Sequence, residues 1–289
     1  MIYGIMGAMP EEVDQLCARL QDVTCETYAG VDYHRGTLHG RPVVVCCAGM
    51  GKANAASTVQ VLCTKYGIGR LIFSGVAGNM TGKIGIGDVC VGETVFYHDA
   101  ELDMLAQSAP FLTEYHGDPA LVQAALDACS ACGVKAIAGR IATGDTFVGD
   151  CATKAAIAEK CHPDCVEMEG AAVSQIAARN GVPCVVLRAM SDNADESGYE
   201  VLVVKDFSIA EYVRTATEIV VRMIETLYAT AKAGGLEGPR LSCCFQFTVP
   251  ARCPDPPRPP RARRGPSGRR PAIPGRRSAC GKSCRRRSV

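Results

Sequence analysis

Four short stretches place carboxylates, an arginine and small residues where an apolar run gives way to a loop or a helix pattern. The first is Gly7-Ala8-Met9-Pro10-Glu11-Glu12. Glu12 can face a crevice there, or it can complement a helix N-terminus. The second is Ser74-Gly75-Val76-Ala77-Gly78. Small residues let the backbone approach a flat ligand, and they also make a tight turn. The third is Val166-Glu167-Met168-Glu169-Gly170-Ala171-Ala172. Two carboxylates in apolar company need partners. Hydroxyl groups of a sugar could donate to them, and a helix start carrying two Glu is the other reading. The fourth is Arg188-Ala189-Met190-Ser191-Asp192-Asn193-Ala194-Asp195. Asp192 can give a proton or hydrogen bond to a ring nitrogen, or cap a turn beside a salt-bridged Arg188. Carboxylates gathered in this way suit general acid–base work.

The elements that must position these residues alternate along the chain. Ile2–Ala8, Pro42–Ala48, Leu71–Val76, Gly87–Tyr97, Arg140–Thr143 and Pro183–Met190 read as strands, mostly apolar and β-branched. Pro10–Leu20, Lys52–Tyr66, Ala120–Cys132, Cys151–Lys160, Met168–Arg179 and Phe207–Ala233 read as helices. Apolar strands separated by helices predict an α/β fold. The expected architecture is a single domain with a mixed, mostly parallel central sheet flanked by helices. The four stretches then fall at strand ends, where such sheets hold ligands.

Charge and proline divide the chain at position 235. Residues 236–289 hold 14 basic groups against 2 acidic, a net of +12, within an overall charge of +1. Residues 1–235 therefore carry −11, which excludes a basic nucleic-acid-binding body. The expected domains are a catalytic body over 1–235 and an Arg/Pro-rich tail over 236–289. The tail shows no sustained period and is expected to be disordered. It reads as a non-native extension of the shifted-frame kind, or as a basic arm that contacts polyanions nonspecifically. Gly281-Lys282-Ser283 is no phosphate loop, because Arg276 stands where that motif needs Gly. No apolar run is long enough to span a membrane, and no signal peptide precedes the acidic Glu11-Glu12 pair. Cys129-x-x-Cys132 lacks a second pair at zinc spacing, Cys161-His162-Pro163-Asp164-Cys165 could supply three ligands but reads better as a loop with two core-edge thiols, and Cys280-x-x-x-Cys284 has no partner set. The body cysteines read as reduced thiols in a cytoplasmic protein.

Taken in order, GIMGAMPEE, AGMGKANAA, GVAGN, GDTFV, VEMEGAA and RAMSDNAD resemble the 5′-methylthioadenosine/S-adenosylhomocysteine nucleosidases of the nucleoside phosphorylase superfamily. The resemblance spans residues 1–232. It implies a nucleoside phosphorylase-like fold and hydrolysis of the N-glycosidic bond of an adenine nucleoside. No cofactor and no metal are required. Glu12 would deprotonate the attacking water, and Asp192 would protonate N7 of the departing adenine. Glu169 would hold the ribose hydroxyls, with Met168 beneath the sugar. Arg188 and Glu167 would surround the water. Phe147 would stack on the base, and the Val148 backbone would read its edge. Met9 and Met50 would contact the sugar and the alkylthio group. Val76, Ala77, Gly78 and Ser191 complete the substrate-binding set, and Phe207 would cover the site. The resemblance also implies a homodimer, with segment 101–117 reaching the neighbour's pocket. That segment matches poorly, which leaves Leu102 and Leu105 as candidate lid residues. Val76 stands where some relatives carry Ser. Futalosine or aminofutalosine hydrolysis, and phosphorolysis by the same superfamily, are the alternatives.

Overall fold

The computed structural model describes residues 1–196 and 209–233. Phe207 and the tail from 236 to 289 lie outside the described residues, as do the readings made of them.

The strands are β1 (Tyr3–Gly7), β2 (Gln21–Tyr28), β3 (Val31–Leu38), β4 (Arg41–Cys47), β5 (Arg70–Asn79), β6 (Val89–Tyr97), β7 (Tyr115–His116), β8 (Ala136–Thr143), β9 (Cys165–Glu167) and β10 (Cys184–Asp192). The helices are α1 (Pro10–Cys17), α2 (Lys52–Thr64), α3 (Leu102–Leu105), α4 (Pro119–Ala131), α5 (Cys151–Cys161), α6 (Gly170–Arg179) and α7 (Ile209–Ala233). All form one α/β domain around a mixed sheet.

Strands β4, β1, β5 and β10 lie side by side and parallel. Strands β6, β8 and β9 form a second parallel set. Antiparallel pairings join β10 to β6 and β9 to β5, so the sheet closes into a five-stranded ring. The hydrogen-bonded order runs β10-β6-β8-β9 and back to β5, which removes two strand edges that would otherwise need covering. The hairpin β2–β3 extends the open side beyond β4.

Alternation along the strands sorts side chains between two faces. Met6, Val44, Cys46, Leu71 and Phe73 pack in one core with Ala55, Val59 and Leu62 of α2 and Ala171–Val173 of α6. Their neighbours Ile5, Val43, Val45 and Ile72 pack in another, against Val13 and Leu16 of α1, Leu121 and Ala125 of α4, and Val220 and Ile224 of α7. Helices thus cover both faces of the sheet, as the near-continuous apolar strands require.

Helix starts follow their chemistry. Asp118 and Asp150 cap α4 and α5, accepting from Leu121 N at 3.0 Å and Thr153 N at 2.8 Å. Pro10 opens α1, where its missing N–H costs nothing. The hairpin β2–β3 turns through Ala29 and Gly30, both at positive φ, which gives the two-residue turn that matches strand twist.

Candidate active site

Parallel strands deliver their C-terminal ends to one edge of the sheet. The ends of β1, β4, β5 and β10, with the end of β9, surround an open cleft. Its walls hold Met9, Glu12, Met50, Val76, Ala77, Gly78, Phe147, Val148, Glu167, Met168, Glu169, Ser191 and Asp192. Among the expected site residues within the described chain, Arg188 alone stands behind the wall rather than on it.

Glu12 is the third residue of α1 and reaches back over the helix start. Its Oε2 accepts from Ala8 N at 2.6 Å and Met9 N at 3.0 Å, and its Oε1 accepts from Val76 N at 3.1 Å. A carboxylate has about four lone-pair positions. Three are filled by backbone donors, so one faces the cleft free. Burial pushes the Glu12 carboxyl above its ordinary range, against the opposing pull of Arg188 and those three N–H groups. The fit tolerates no bulk. A Cβ on Gly75 would stand 2.3 Å from Arg188 Nη1 and 2.7 Å from Glu12 Oε1, so residue 75 must be glycine for the pair to approach the strand.

Arg188 is fully enclosed, with its guanidinium 4.1 Å from the Phe73 ring centroid. It donates to Glu167 Oε2 at 2.5 Å and lies 3.6 Å from Glu169 Oε2. Glu167 has no acceptor to spare. It takes the Thr143 hydroxyl as well as Glu169 N at 3.0 Å and Gly170 N at 2.7 Å, which caps α6. Thr143 in turn accepts from Ala171 N at 2.8 Å. Glu169 is far less occupied. Its Oε1 accepts from Gly51 N at 2.8 Å, and the rest of the carboxylate faces the cleft. Burial, then the charge of Glu167, pushes its carboxyl up to about 7.

Asp192 and Ser191 are consecutive, yet both line the cleft. Successive strand residues normally face opposite ways. A bulge in the β10–β5 ladder between Met190 and Asp192 turns both toward the ligand side. Asp192 Oδ1 accepts from Ala194 N at 2.7 Å and Oδ2 from the Ser191 hydroxyl at 2.8 Å. Each oxygen keeps a free position, so the group can carry a proton toward the cleft.

Phe147 is 37 % exposed at the rim, and Val148 is buried in a small cluster with Met80, Phe96, Ala142 and Val166. Met50 is 62 % exposed on the opposite loop. Among the described residues, the cleft lining carries four carboxylates and no Lys, Arg or His. Among the described residues, no group of His, Cys, Asp or Glu side chains is arranged to hold a metal ion.

Several contributors were not singled out by residue type. Thr143, Phe73 and the Gly51 N–H act through contacts that only the fold creates. Ala8, Thr146 and Val166 also line the cleft. The candidate lid residues fare differently. Leu102 and Leu105 are half-buried and pack against the core. The exposed apolar side chains of that segment are Met104, Phe111 and Leu112.

The chain is similar to several known proteins. The family model described as the Phosphorylase superfamily matches residues 2–225. A 5′-methylthioadenosine/S-adenosylhomocysteine nucleosidase of Shewanella baltica is 38 % identical over 205 residues, which is 68 % of this chain and 85 % of the relative. The structure of the S. pneumoniae nucleosidase of the same name, with a transition-state inhibitor, superposes with a TM-score of 0.72 at 32 % identity. It covers 78 % of this chain and 100 % of that one. The futalosine hydrolase of Helicobacter pylori superposes with a TM-score of 0.71 at 28 % identity, covering 78 % and 98 %.

Proposed function

The chain belongs to the phosphorylase superfamily, and from that premise we propose that it is a 5′-methylthioadenosine/S-adenosylhomocysteine nucleosidase. It hydrolyses the N-glycosidic bond and releases adenine, a reaction that serves methionine salvage and removal of S-adenosylmethionine by-products. The observation that carries hydrolysis over phosphorolysis is the charge of the cleft. Among the described residues its wall holds Glu12, Glu167, Glu169 and Asp192 without a cation, and the Arg188 guanidinium is committed to Glu167 behind it. Such a wall repels phosphate and accepts water.

In the reaction, the Asp192 carboxyl gives its proton to N7 as the C1′–N9 bond breaks, so adenine leaves neutral. The sugar gains oxocarbenium character, which the nearby carboxylates stabilise. A water held at the free position of Glu12 attacks C1′ and passes a proton to that carboxylate. Glu169 accepts the ribose hydroxyls, with Met168 beneath the sugar. Phe147 stacks on adenine and the Val148 backbone reads its edge. Met9 and Met50 border the sugar and its 5′-substituent, and Val76, Ala77, Gly78 and Ser191 let the base approach closely. Glu167 orients Arg188 and the start of α6. None of these roles draws on residues 236–289.

The test is product analysis. Purified protein is incubated with 5′-methylthioadenosine, S-adenosylhomocysteine, inosine and aminofutalosine, with and without phosphate. Adenine release from the first two at a phosphate-independent rate is expected. A rate that requires phosphate, or turnover confined to aminofutalosine, would overturn the assignment.

The proposal includes a homodimer. Met104, Phe111 and Leu112 stand exposed on one segment, and Met50 is exposed at the cleft. A second copy would remove this apolar surface from water. Sedimentation velocity is expected to give twice the chain mass at micromolar concentration, and a monomer throughout would refute it. A cytoplasmic location is proposed too, supported by twelve free thiols among the described residues. Among those residues, no helix is long and apolar enough to cross a membrane.

A further inference from the structure

The matching stretches AGMGKANAA and GDTFV, and the His98-Asp99 pair that follows β6, contain charged residues that the reaction leaves unused. They meet at the mouth of the cleft. Lys52 is the first residue of α2, directly after the Gly51 whose N–H holds Glu169. Its ammonium lies 2.8 Å from both oxygens of Asp99 and 3.3 Å from Asp145 Oδ2. The contact is reinforced through the backbone. Lys52 N donates to Asp145 Oδ1 at 3.0 Å, and Asp145 N donates to Asp99 Oδ2 at 2.9 Å. Asp145 opens the loop that carries Phe147 and Val148.

The neighbouring His98 supports the same loop from below. Its backbone N–H donates to Thr143 O at 3.0 Å. Its ring fills the space beneath Gly144, where an added Cβ would lie 2.2 Å from Nε2. Three loops, after β4, β6 and β8, are thus tied at one point.

We infer that Lys52 is a positioning residue: by clamping Asp99 and Asp145 it fixes the distance between the Gly51–Glu169 contact and the Phe147–Val148 loop. This rests on the proposed function for what that distance serves, which is the span from sugar to base. The side chains of Lys52 and Asp99 are 22 % and 27 % exposed. An ion pair open to solvent contributes little to global stability. It can still hold two loops in register, and small misplacement of a bound substrate costs rate steeply.

The test uses the full chain with Lys52→Met, Lys52→Arg, Asp99→Asn and the Met/Asn double change. Lys52→Met is expected to lower kcat/KM for 5′-methylthioadenosine about tenfold, mainly through KM. Asp99→Asn should do the same, and the double change should be no worse than either single one. Lys52→Arg should recover most of the loss, since it restores the charge. Amide hydrogen exchange in Lys52→Met should rise in segments 49–52 and 144–148 and stay unchanged in the sheet. Wild-type kinetics with unchanged exchange in those segments would overturn the inference, as would a rise spread evenly over the protein. If the wild-type chain releases no adenine, the proposed function falls. The exchange pattern then still decides whether Lys52 clamps the two loops.

Discussion

Replacing Asp192 by Asn is expected to lower kcat for adenine release by about 10³-fold while substrate still binds. The change is isosteric, and the local bonds suit it. Asn Oδ1 can keep the bond from Ala194 N that Asp192 makes at 2.7 Å. The Ser191 hydroxyl, which donates to Asp192 at 2.8 Å, can instead accept from the amide or donate to Ala77 O, 3.4 Å away. The bulge that aims residues 191 and 192 into the cleft depends on the backbone, so it survives. What disappears is the transferable proton. An amide can hydrogen-bond N7 but cannot protonate it, and adenine would have to leave as an anion. A 10³-fold loss corresponds to about 4 kcal/mol of barrier, within the range of a removed general acid. Single-turnover assays with 5′-methylthioadenosine, alongside equilibrium binding of the uncleaved substrate, separate the two effects. Turnover at the wild-type rate would remove Asp192 from the role of proton donor. Loss of binding together with rate would mean that Asn disrupts the pocket itself.

The candidate site could be read from the sequence because its chemistry is written in side-chain types at strand ends. Glu12, Glu169 and Asp192 are each a carboxylate where an apolar run stops, and each lines the cleft. The competing structural readings were also correct in part. Glu12 does bond the N–H groups at the start of α1, and Glu167 does cap α6. Asp192 does close a local turn onto Ala194 N. A helix N-terminus attracts a carboxylate whether or not a ligand follows, and here one group serves both ends. Types and spacing could not therefore separate the readings, and the shared cleft is what supports the functional one.

Other features left no trace in the pattern. Strand β2 (QDVTCETY) is exposed along its whole length, so no apolar alternation marks it as a strand. Its pairing with β3 becomes visible only through the Ala29-Gly30 turn. Strand β9 has three residues, too few for a period, although it closes the ring between β8 and β5. Thr143 is an ordinary strand residue by type. Its hydroxyl matters because β8 runs beside β9 and presents it to Glu167 and to the first turn of α6. Contacts between residues distant in sequence depend on topology, and a local reading does not contain them.

Glu12→Gln should produce a loss of similar size with a different signature. Removing the base is expected to cut kcat by about 10³-fold. Stability should change as well. Three backbone N–H groups converge on the two Glu12 oxygens. Gln offers one oxygen, which suits the Ala8 and Met9 donors, and this turns its NH₂ toward Val76 N. Two buried donors then face each other, at a cost of about 1–3 kcal/mol. Denaturant titration should show that cost in Glu12→Gln and not in Asp192→Asn. The pH profile supplies the decisive readout. Burial holds the Glu12 carboxyl above its ordinary range, so the ionised base is present above that raised value and is lost as pH falls through it. Burial together with Glu167 puts Glu169 at about 7, and a proton there replaces an acceptor that the ribose hydroxyls need. Both effects have the same sign, so wild-type kcat/KM should fall on the acid side, beginning near 7. In Glu12→Gln the Glu169 limb should remain while the limb belonging to Glu12 disappears. A variant that keeps the wild-type rate would show that another group activates the water. A slow variant whose acid limbs are both unchanged would place Glu12 in the fold of the site and outside its proton chemistry.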